Sequence, residues 1–246
     1  SQHLLAEIDR ETQDVAEIVQ HGDFRFTEGE RNASSERAVY SASSSTISLR
    51  GGEPGIWDSR GRTRATEMEL NPRAEETIAR GNVLTTYYNP GSTGGAAPFA
   101  DAQAPVFIAA QRVEVKHQSG VAAYMGTVRA WQENNYVTAD RIELHQTDRV
   151  MIASGKVRSF IYKVRRAEAA SAEAIPVFVS AGRMKYLDPD RTVAYEGNVV
   201  MKRGSQRLSA AAITAVLKRD VAEIDRAIAE KNVSIAEPTR RASGDR

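Results

Sequence analysis

The sequence contains no cysteine among its 246 residues. This absence excludes disulfide bonds, cysteine-ligated zinc and thiol catalysis, but it is compatible with a reducing or an oxidising compartment. The chain also lacks a run of about 18 apolar residues, the length that a membrane-spanning helix requires, and a basic start followed by an apolar stretch. Because patterned sequence begins almost at Ser1, we expect a processed form or fragment whose preceding segment held a signal or an inner-membrane anchor.

The chain has no excess of either charge. Lys and Arg number 33 and Asp and Glu 32, which leaves a formal net charge of +1 at pH 7. Bulk charge therefore gives no reason to expect a nucleic-acid partner or an anionic membrane. The four histidines, His3, His21, His117 and His145, form no pair with the spacing of metal ligands. We predict neither a metal site nor a cofactor.

An internal repeat is the most informative feature that is present. Six short segments end on a small residue: Ser35, Ala65, Ala110, Ala139, Ala181 and Ala210. Sixteen residues after the first five stand Gly51, Gly81, Gly126, Gly155 and Gly197, whereas Arg226 occupies that position in the sixth unit. Self-similarity at a period of about 30 residues predicts a stacked or rolled architecture of about six units that share one core.

Apolar and polar residues alternate around these landmarks. Ile142 and Leu144 lie on one face of a predicted strand, and Arg141, Glu143 and His145 lie on the other. Turns are predicted at Asn71-Pro72-Arg73, Gln118-Ser119-Gly120 and Asp188-Pro189-Asp190. Residues 14–19 and 221–228 have helical features, but the repeat favours strand for the second stretch because it precedes Asn232-Val233, which aligns with the Gly-Asn-Val landmarks. The sequence therefore predicts an all-β fold of antiparallel hairpins.

Three regions differ from the regular repeat. Residues 1–58 are predicted to be divergent N-terminal repeats of the same fold, and residues 59–237 to be the regular repeats. Two loop insertions are predicted near residues 89–105 and 165–176, which are rich in Gly, Pro, Ala and Ser; the second also has the composition of a short helix. The polar residues 238–246 are predicted to be a disordered tail.

Two motifs resemble a known family. They run from Ala139-Asp140-Arg141-Ile142-Glu143-Leu144 to Gly155-Lys156-Val157, and from Ala181-Gly182-Arg183-Met184-Lys185-Tyr186 to Gly197-Asn198-Val199. Their recurrence at fixed spacing is similar to the OstA-like family of periplasmic lipopolysaccharide-transport proteins, which includes LptA and LptC. The resemblance covers roughly residues 60 to 237, with a weaker echo from Leu4 to Gly51.

The resemblance implies a V-shaped β-jellyroll with an apolar slot between its two sheets. Family members bind lipopolysaccharide acyl chains noncovalently, pass them across the periplasm and stack end to end by strand pairing, without catalysis. For this chain it implies lipopolysaccharide and other transport components as partners, and leaves homo-oligomers open. The apolar positions of the repeat then become candidate groove residues: Val83, Val113, Val115, Val128, Ile142, Leu144, Val150, Ile152, Val157, Met184, Tyr186, Val193, Tyr195, Val199 and Ile213.

Other interpretations of the same residues stay open. The groove residues could instead form a closed core, since an alternating strand buries one face in either case. The repeat is also compatible with a structural β-solenoid, such as a scaffold or adhesin stalk without lipid cargo. A carbohydrate-active β-solenoid enzyme would need paired carboxylates, for which Glu75-Glu76, Asp188 and Asp190 are the candidates.

Overall fold

The structure is a computed structural model that describes residues 2–88, 99, 104–161, 175–217, 224–237 and 240–244. Every regular element among them is a β-strand, so these residues include no helix with the length and hydropathy to cross a membrane. The first nine strands are β1 (His3–Ile8), β2 (Val15–Glu28), β3 (Arg31–Ser41), β4 (Thr46–Arg50), β5 (Gly55–Trp57), β6 (Gly61–Arg64), β7 (Glu67–Asn71), β8 (Glu76–Tyr87) and β9 (Val106–Lys116).

The second half of the chain continues the same pattern with long strands. These are β10 (Val121–Gln132), β11 (Asn135–His145), β12 (Val150–Ile161), β13 (Val177–Leu187), β14 (Thr192–Arg203), β15 (Gln206–Leu217), β16 (Ile224–Glu230), β17 (Val233–Glu237) and β18 (Arg240–Gly244). The prediction of an all-β fold is confirmed.

All 18 strands belong to one antiparallel sheet. From β8 to β15 each strand pairs with the next, as expected for successive hairpins. In the N-terminal part, β4 and β5 both pair with β3 and together form one interrupted strand. In the same way, β6 and β7 both pair with β8 and form a second interrupted strand. The predicted boundary at residues 58/59 falls between the paired strands β5 and β6, and the sheet continues across it.

Four of the five glycine landmarks, together with Gly22, form bulges with left-handed backbone. Five strands contain a pair of residues with φ of +75° to +83° followed by +48° to +53°: Gly22-Asp23, Gly81-Asn82, Gly126-Thr127, Gly155-Lys156 and Gly197-Asn198. At each pair the register shifts, so that two residues oppose one on the neighbouring strand. The bulges lie in line across the sheet and form what we call the crease.

The small residues of the repeat line the inside of the crease. Ser35, Ala65, Ala110, Ala139, Ala181 and Ala210 are all buried, with 3–9% of their surface exposed. The residue after each small residue lies over a bulge. At Gly155, for example, a Cβ atom would lie 2.5 Å from Asp140 Oδ2. The repeat therefore encodes a bend, because it places a small side chain and a glycine where two strands turn together.

The crease divides the long strands into two arms. The first arm contains the strand halves nearest the turns at residues 72–75, 117–120, 146–149 and 188–191, and the second arm contains the opposite halves. Ala79 on β8 is in register, through Val113, with Tyr124 on β10, and Tyr87 is eight residues further along β8. In a flat sheet, the eight residues from Ala79 to Tyr87 would span about 26 Å. The hydroxyls of Tyr87 and Tyr124 are 3.2 Å apart, so the arms fold against each other.

The structure differs from two sequence-based expectations. The prediction of a disordered tail is wrong for Arg240–Gly244, because this segment forms a strand that pairs with the free edge of β17. The sixth unit lacks the glycine, as the sequence indicates. Its left-handed residues are Lys231 and Asn232, however, and not Arg226, which stands sixteen residues after Ala210. The Ala211 N–H donates to the Lys231 carbonyl at 2.9 Å, as Thr66 N–H does to Gly81.

Other expectations agree with the structure or fall outside it. Residues 15–19 and 224–228 are in strands, not helices, and the three predicted turns are present. Most of the two predicted insertions lies outside the described residues, so the loop interpretation stays a prediction.

Candidate functional site

The interior of the folded sheet is built from in-register rows of side chains. In the first arm one row of inward side chains crosses the sheet from β3 to β15. Each member of the row is the register partner of the next on the neighbouring strand. No member is more than 3% exposed. The row consists of Ala38, Leu49, Met68, Ala79, Val113, Tyr124, Ile142, Ala153, Met184, Tyr195 and Ile213.

The second arm contributes a facing row with more polar character. Thr63, Thr85, Ile108, Ala130, Val137, Ser159 and Val179 are in register across β6 to β13. The hydroxyls of Thr63 and Thr85 lie 3.0 Å apart. Because these hydroxyls are satisfied by each other, they can be buried without leaving an unpaired group.

Most of the predicted groove residues lie on this interior. Twelve of them are no more than 3% exposed: Val83, Val113, Val128, Ile142, Leu144, Val157, Met184, Tyr186, Val193, Tyr195, Val199 and Ile213. Val115 is half-buried and packs against the same core. The structure thus brings these thirteen side chains together along one continuous surface.

The assignment of Val150 and Ile152 to the groove is wrong. Ile152 pairs with Glu143 and Lys185, and Val150 pairs with His145, so both point to the outer face. The inward residues of this strand are Met151 and Ala153, which are fully buried. The four-residue turn between β11 and β12 places Val150 opposite His145. Because the sequence predicts that the His145 side chain points outward, this register also predicts that Val150 points outward.

Several interior residues escaped the sequence analysis. Leu49, Tyr124 and Ile108 are among the largest fully buried side chains. Each follows the period of two, and Tyr124 lies two residues before Gly126, so the parity of its strand could have identified it. Leu49 has the same spacing from Gly51.

The two arms contact each other through side chains across the interior. Ser159 of the second arm donates its hydroxyl to Met184 Sδ of the first arm at 3.6 Å. Burial raises the pKa of Tyr195 to about 12, while a hydrogen bond with Ser159 acts in the opposite direction. Burial likewise raises the pKa values of Tyr87 and Tyr124, so all three phenols stay protonated at neutral pH. Among the described residues the interior side chains thus pack as a closed core.

The apolar interior becomes exposed at both ends of the sheet. The first-arm row continues past Ala38 to Gln20 and then to Leu4 on β1, where Leu4 is 61% exposed. The second-arm row continues from Val179 through Met201 and Leu208 to Ile235 on β17, which is 44% exposed. β1, β16 and β18 each pair with one neighbour in the described sheet, so they are edge strands, with β1 at one end and β18 at the other.

The titratable residues of the site region have structural partners. Asp188, a candidate for an enzymatic carboxylate, accepts a hydrogen bond from Tyr186 Oη at 2.8 Å and forms an ion pair with Arg149. Burial lowers the pKa of His117, whose Nε2 lies 2.9 Å from Thr77 Oγ1. The described residues hold no cluster of three His, Asp or Glu side chains suited to a metal ion.

The chain was compared with known families and structures. Residues 178–246 match the family model described as LptA/(LptD N-terminal domain) LPS transport protein. The match covers less than half of the chain, and it makes this segment similar to the LptA-like lipopolysaccharide-transport family. It contains β13 to β18, including the left-handed bulges Gly197-Asn198 and Lys231-Asn232. The LptA-like match thus begins later than the resemblance seen in the sequence and extends to the last residue.

A solved structure with similarity to the chain is LptH from Pseudomonas aeruginosa. It is described as the LptA-homologous periplasmic component of the lipopolysaccharide transport device. The two share 16% sequence identity, with a TM-score of 0.43, over 60% of this chain and 99% of LptH. The comparison with curated protein sequences gives no match.

Proposed function

We propose that this protein binds the acyl chains of lipopolysaccharide between its two arms and transfers them across the periplasm as one section of a protein bridge. The observation that carries the proposal is the interior row of apolar side chains, which crosses the sheet from β3 to β15. The LptA-like segment supports the choice of lipopolysaccharide as the cargo. Binding is noncovalent, and the protein is not an enzyme in this proposal.

The chemistry of the cargo explains why an enclosed path is needed. Each methylene exposed to water costs about 0.8 kcal/mol, so one chain of about twelve carbons costs on the order of 10 kcal/mol. A lipid with several such chains cannot diffuse freely between membranes. A surface that stays apolar across eleven strands can receive the chains one after another without returning them to water.

The closed interior has to open for this cargo to enter. The cross-arm hydrogen bonds that join Tyr87 to Tyr124 and Ser159 to Met184 are bonds between side chains. The backbone hydrogen bonds run within each arm, along the strand ladders. The arms can therefore separate about the crease without breaking the sheet, and the acyl chains replace the apolar contacts that are lost.

The edges of the sheet are the proposed sites of contact with other transport components. Among the described strands β1 pairs with β2 alone, and it exposes Leu4, Leu5 and Ile8, each more than half exposed. Such an edge can accept a further strand from a neighbouring molecule. Strand addition at β1 and at the β18 end would join the interiors of successive molecules, including other copies of this chain.

The proposal is tested by placing a photo-crosslinking amino acid at single inward positions, namely Ile142, Leu144 and Tyr186. Neighbouring outward positions, Arg141, Glu143 and Lys185, are the matched controls. With purified lipopolysaccharide, we expect ultraviolet-dependent adducts from the inward set alone. A folded protein that gives no adducts from either set would contradict lipid transport and favour a structural scaffold with a closed core.

A second experiment tests whether the arms must separate. Because the chain has no cysteine, S159C/M184C introduces one thiol in each arm, and a short bis-maleimide then links them by adding one thiol at each end. The linked protein is expected to lose lipopolysaccharide binding, while the unlinked double variant and each linker-treated single variant keep it. Unchanged binding by the fully linked protein would rule out entry by separation of the arms at this position.

A further inference from the structure

The outer face of the second arm has an unusual composition. Two rows of side chains cross it in register. The aromatic row contains Phe107, Trp131, Tyr136, Phe160 and Phe178 on five consecutive strands, β9 to β13. At about 4.8 Å between strands, it is about 19 Å long. Lys202 and Arg207 extend the row on β14 and β15.

The second row, two residues nearer the crease, supplies further positive charge. It contains Arg64, Arg129 and Arg158 on β6, β10 and β12, separated by small or apolar residues such as Ala109 and Thr138. We call it the arginine row. Among the described residues of the two rows no position is Asp or Glu. Glu53, which lies outside the two rows, forms an ion pair with Arg64 at 3.1 Å, and the carboxylates Asp58 and Glu133 lie in turns at the tip of the arm.

The outer face of the first arm differs, because its cations are matched by carboxylates. Arg112 pairs with Glu114 at 2.6 Å, and Arg141 pairs with Glu143 at 2.7 Å. Arg80 lies 3.5 Å from Glu69 in the same way. The net charge of +1 thus conceals an uneven distribution. On the second arm Arg64 is paired with Glu53, whereas Arg129, Arg158 and Lys202 form no ion pair with a carboxylate among the described residues.

The aromatic side chains stand on the sheet with their faces against each other. Phe107 stacks on Trp131 with centroids 5.3 Å apart and 20° between the planes, and Tyr136 stacks on Phe160 at the same distance and 14°. The Arg129 guanidinium lies 5.5 Å from the centroid of Trp131 and 5.1 Å from that of Tyr136. The ring edges are therefore left to solvent, and Phe178 at the end of the row is 45% exposed.

We propose that this face docks on an anionic phospholipid surface. Trp, Tyr and Phe partition into the headgroup region of a bilayer, and arginine and lysine are attracted to its phosphate groups. A partner that complements positive charge spread from β6 to β15 must itself be extended and negatively charged, which a bilayer is. Saccharide binding would use exposed ring faces, whereas these faces are occupied by neighbouring rings.

The position of the tryptophans allows a direct test. The chain has two tryptophans, Trp57 and Trp131, and both lie in the register of the aromatic row. The W57F variant leaves Trp131 as the sole reporter. With vesicles of phosphatidylglycerol and phosphatidylethanolamine, we expect a blue shift of its emission and quenching by brominated acyl chains. The response should weaken as salt is added and be absent with phosphatidylcholine vesicles.

Charge removal then identifies the face. The triple variant R129Q/R158Q/K202Q is expected to reduce partitioning onto anionic vesicles by about 100-fold, roughly fivefold for each cation removed. The matched control R141Q/R183Q/K185Q removes the same charge from the first arm and should change partitioning less than about twofold. Both variants should show the circular dichroism of the parent protein.

Two results would overturn the proposal. One is the absence of vesicle binding by the folded parent protein, which would leave this face for a protein partner. The other is equal weakening by the triple variant and its first-arm control. Either result is independent of lipopolysaccharide binding, because the crosslinking positions Ile142, Leu144 and Tyr186 lie in the interior and not on this face.

Discussion

The bend at the crease should depend on glycine for two separable reasons, and Gly155 offers the sharpest test. Its φ is +76°, a conformation that costs an L residue about 1–2 kcal/mol. In addition, a Cβ atom would lie 2.5 Å from Oδ2 and 2.8 Å from Cβ of Asp140. Displacing Asp140 adds on the order of 1–3 kcal/mol, as for other overpacked sites. Gly155→Ala should therefore destabilise the protein by about 2–5 kcal/mol.

Gly197 separates these two contributions. Its φ is +83°, but the residue opposite is Gly182, and a Cβ atom would be 3.4 Å from its Cα, an ordinary contact. Gly197→Ala should therefore cost only about 1–2 kcal/mol. The double variant D140G/G155A reproduces the Gly197 situation at Gly155. This double variant should recover the part of the unfolding free energy that is lost through the contact between a Cβ atom at position 155 and Asp140. A double-mutant cycle isolates that part.

Urea unfolding followed by far-UV circular dichroism measures these differences. Melting temperatures should follow, by about 2–4 °C for each kcal/mol in a chain of this size. A Gly155→Ala variant no less stable than Gly197→Ala would mean that the contact with Asp140 does not crowd position 155. A coupling of zero between positions 140 and 155 would mean the same.

Three further predictions concern the interior and its rim. Ala139→Leu should cost about 1–3 kcal/mol in urea unfolding, because Ala139 is 5% exposed inside the crease. Tyr87→Phe and Tyr124→Phe should show a coupling of about 0.5–1.5 kcal/mol in a double-mutant cycle, since their hydroxyls are 3.2 Å apart. The pKa of His117 is lowered from 6.5 mainly by burial, so the neutral form is favoured on folding. The unfolding free energy should fall as pH drops below 6.5, and His117→Gln should reduce that slope.

Each of these has an outcome that contradicts it. Ala139→Leu with unchanged stability would mean that the crease has free space. Additive effects at Tyr87 and Tyr124 would mean that the arms are not held together there. An unfolding free energy whose pH dependence below 6.5 is the same in the His117→Gln variant would mean that this histidine is equally protonated in both states.

Much of the fold follows from short-range pattern. The alternation around Ile142 and Leu144 identifies an inward face because side chains of a strand point to opposite sides in turn. The Gly-X landmarks mark the crease because few residues other than glycine adopt a φ near +75°. These constraints act within a few residues, so the sequence carries them directly.

Val150 and Ile152 show where pattern alone is ambiguous. The run Val150-Met151-Ile152-Ala153 is apolar at both parities, so the period of two does not choose a face. Pairing with β11 decides it, since Val150 opposes His145 and Met151 opposes Leu144. Register is a property of two strands, and it is set by the turn that joins them.

The all-β repeat, the inward parity and the position of the bend were determined by the amino-acid sequence, because each depends on the backbone and side-chain preferences of neighbouring residues. The closed interior and the aromatic row were decided by the tertiary structure. Tyr87 meets Tyr124 only after the sheet folds, and Phe107, Trp131 and Phe178 align only through the registers of successive strands. Their spacings along the chain follow no period, because loops of unequal length separate strands whose positions in space are regular.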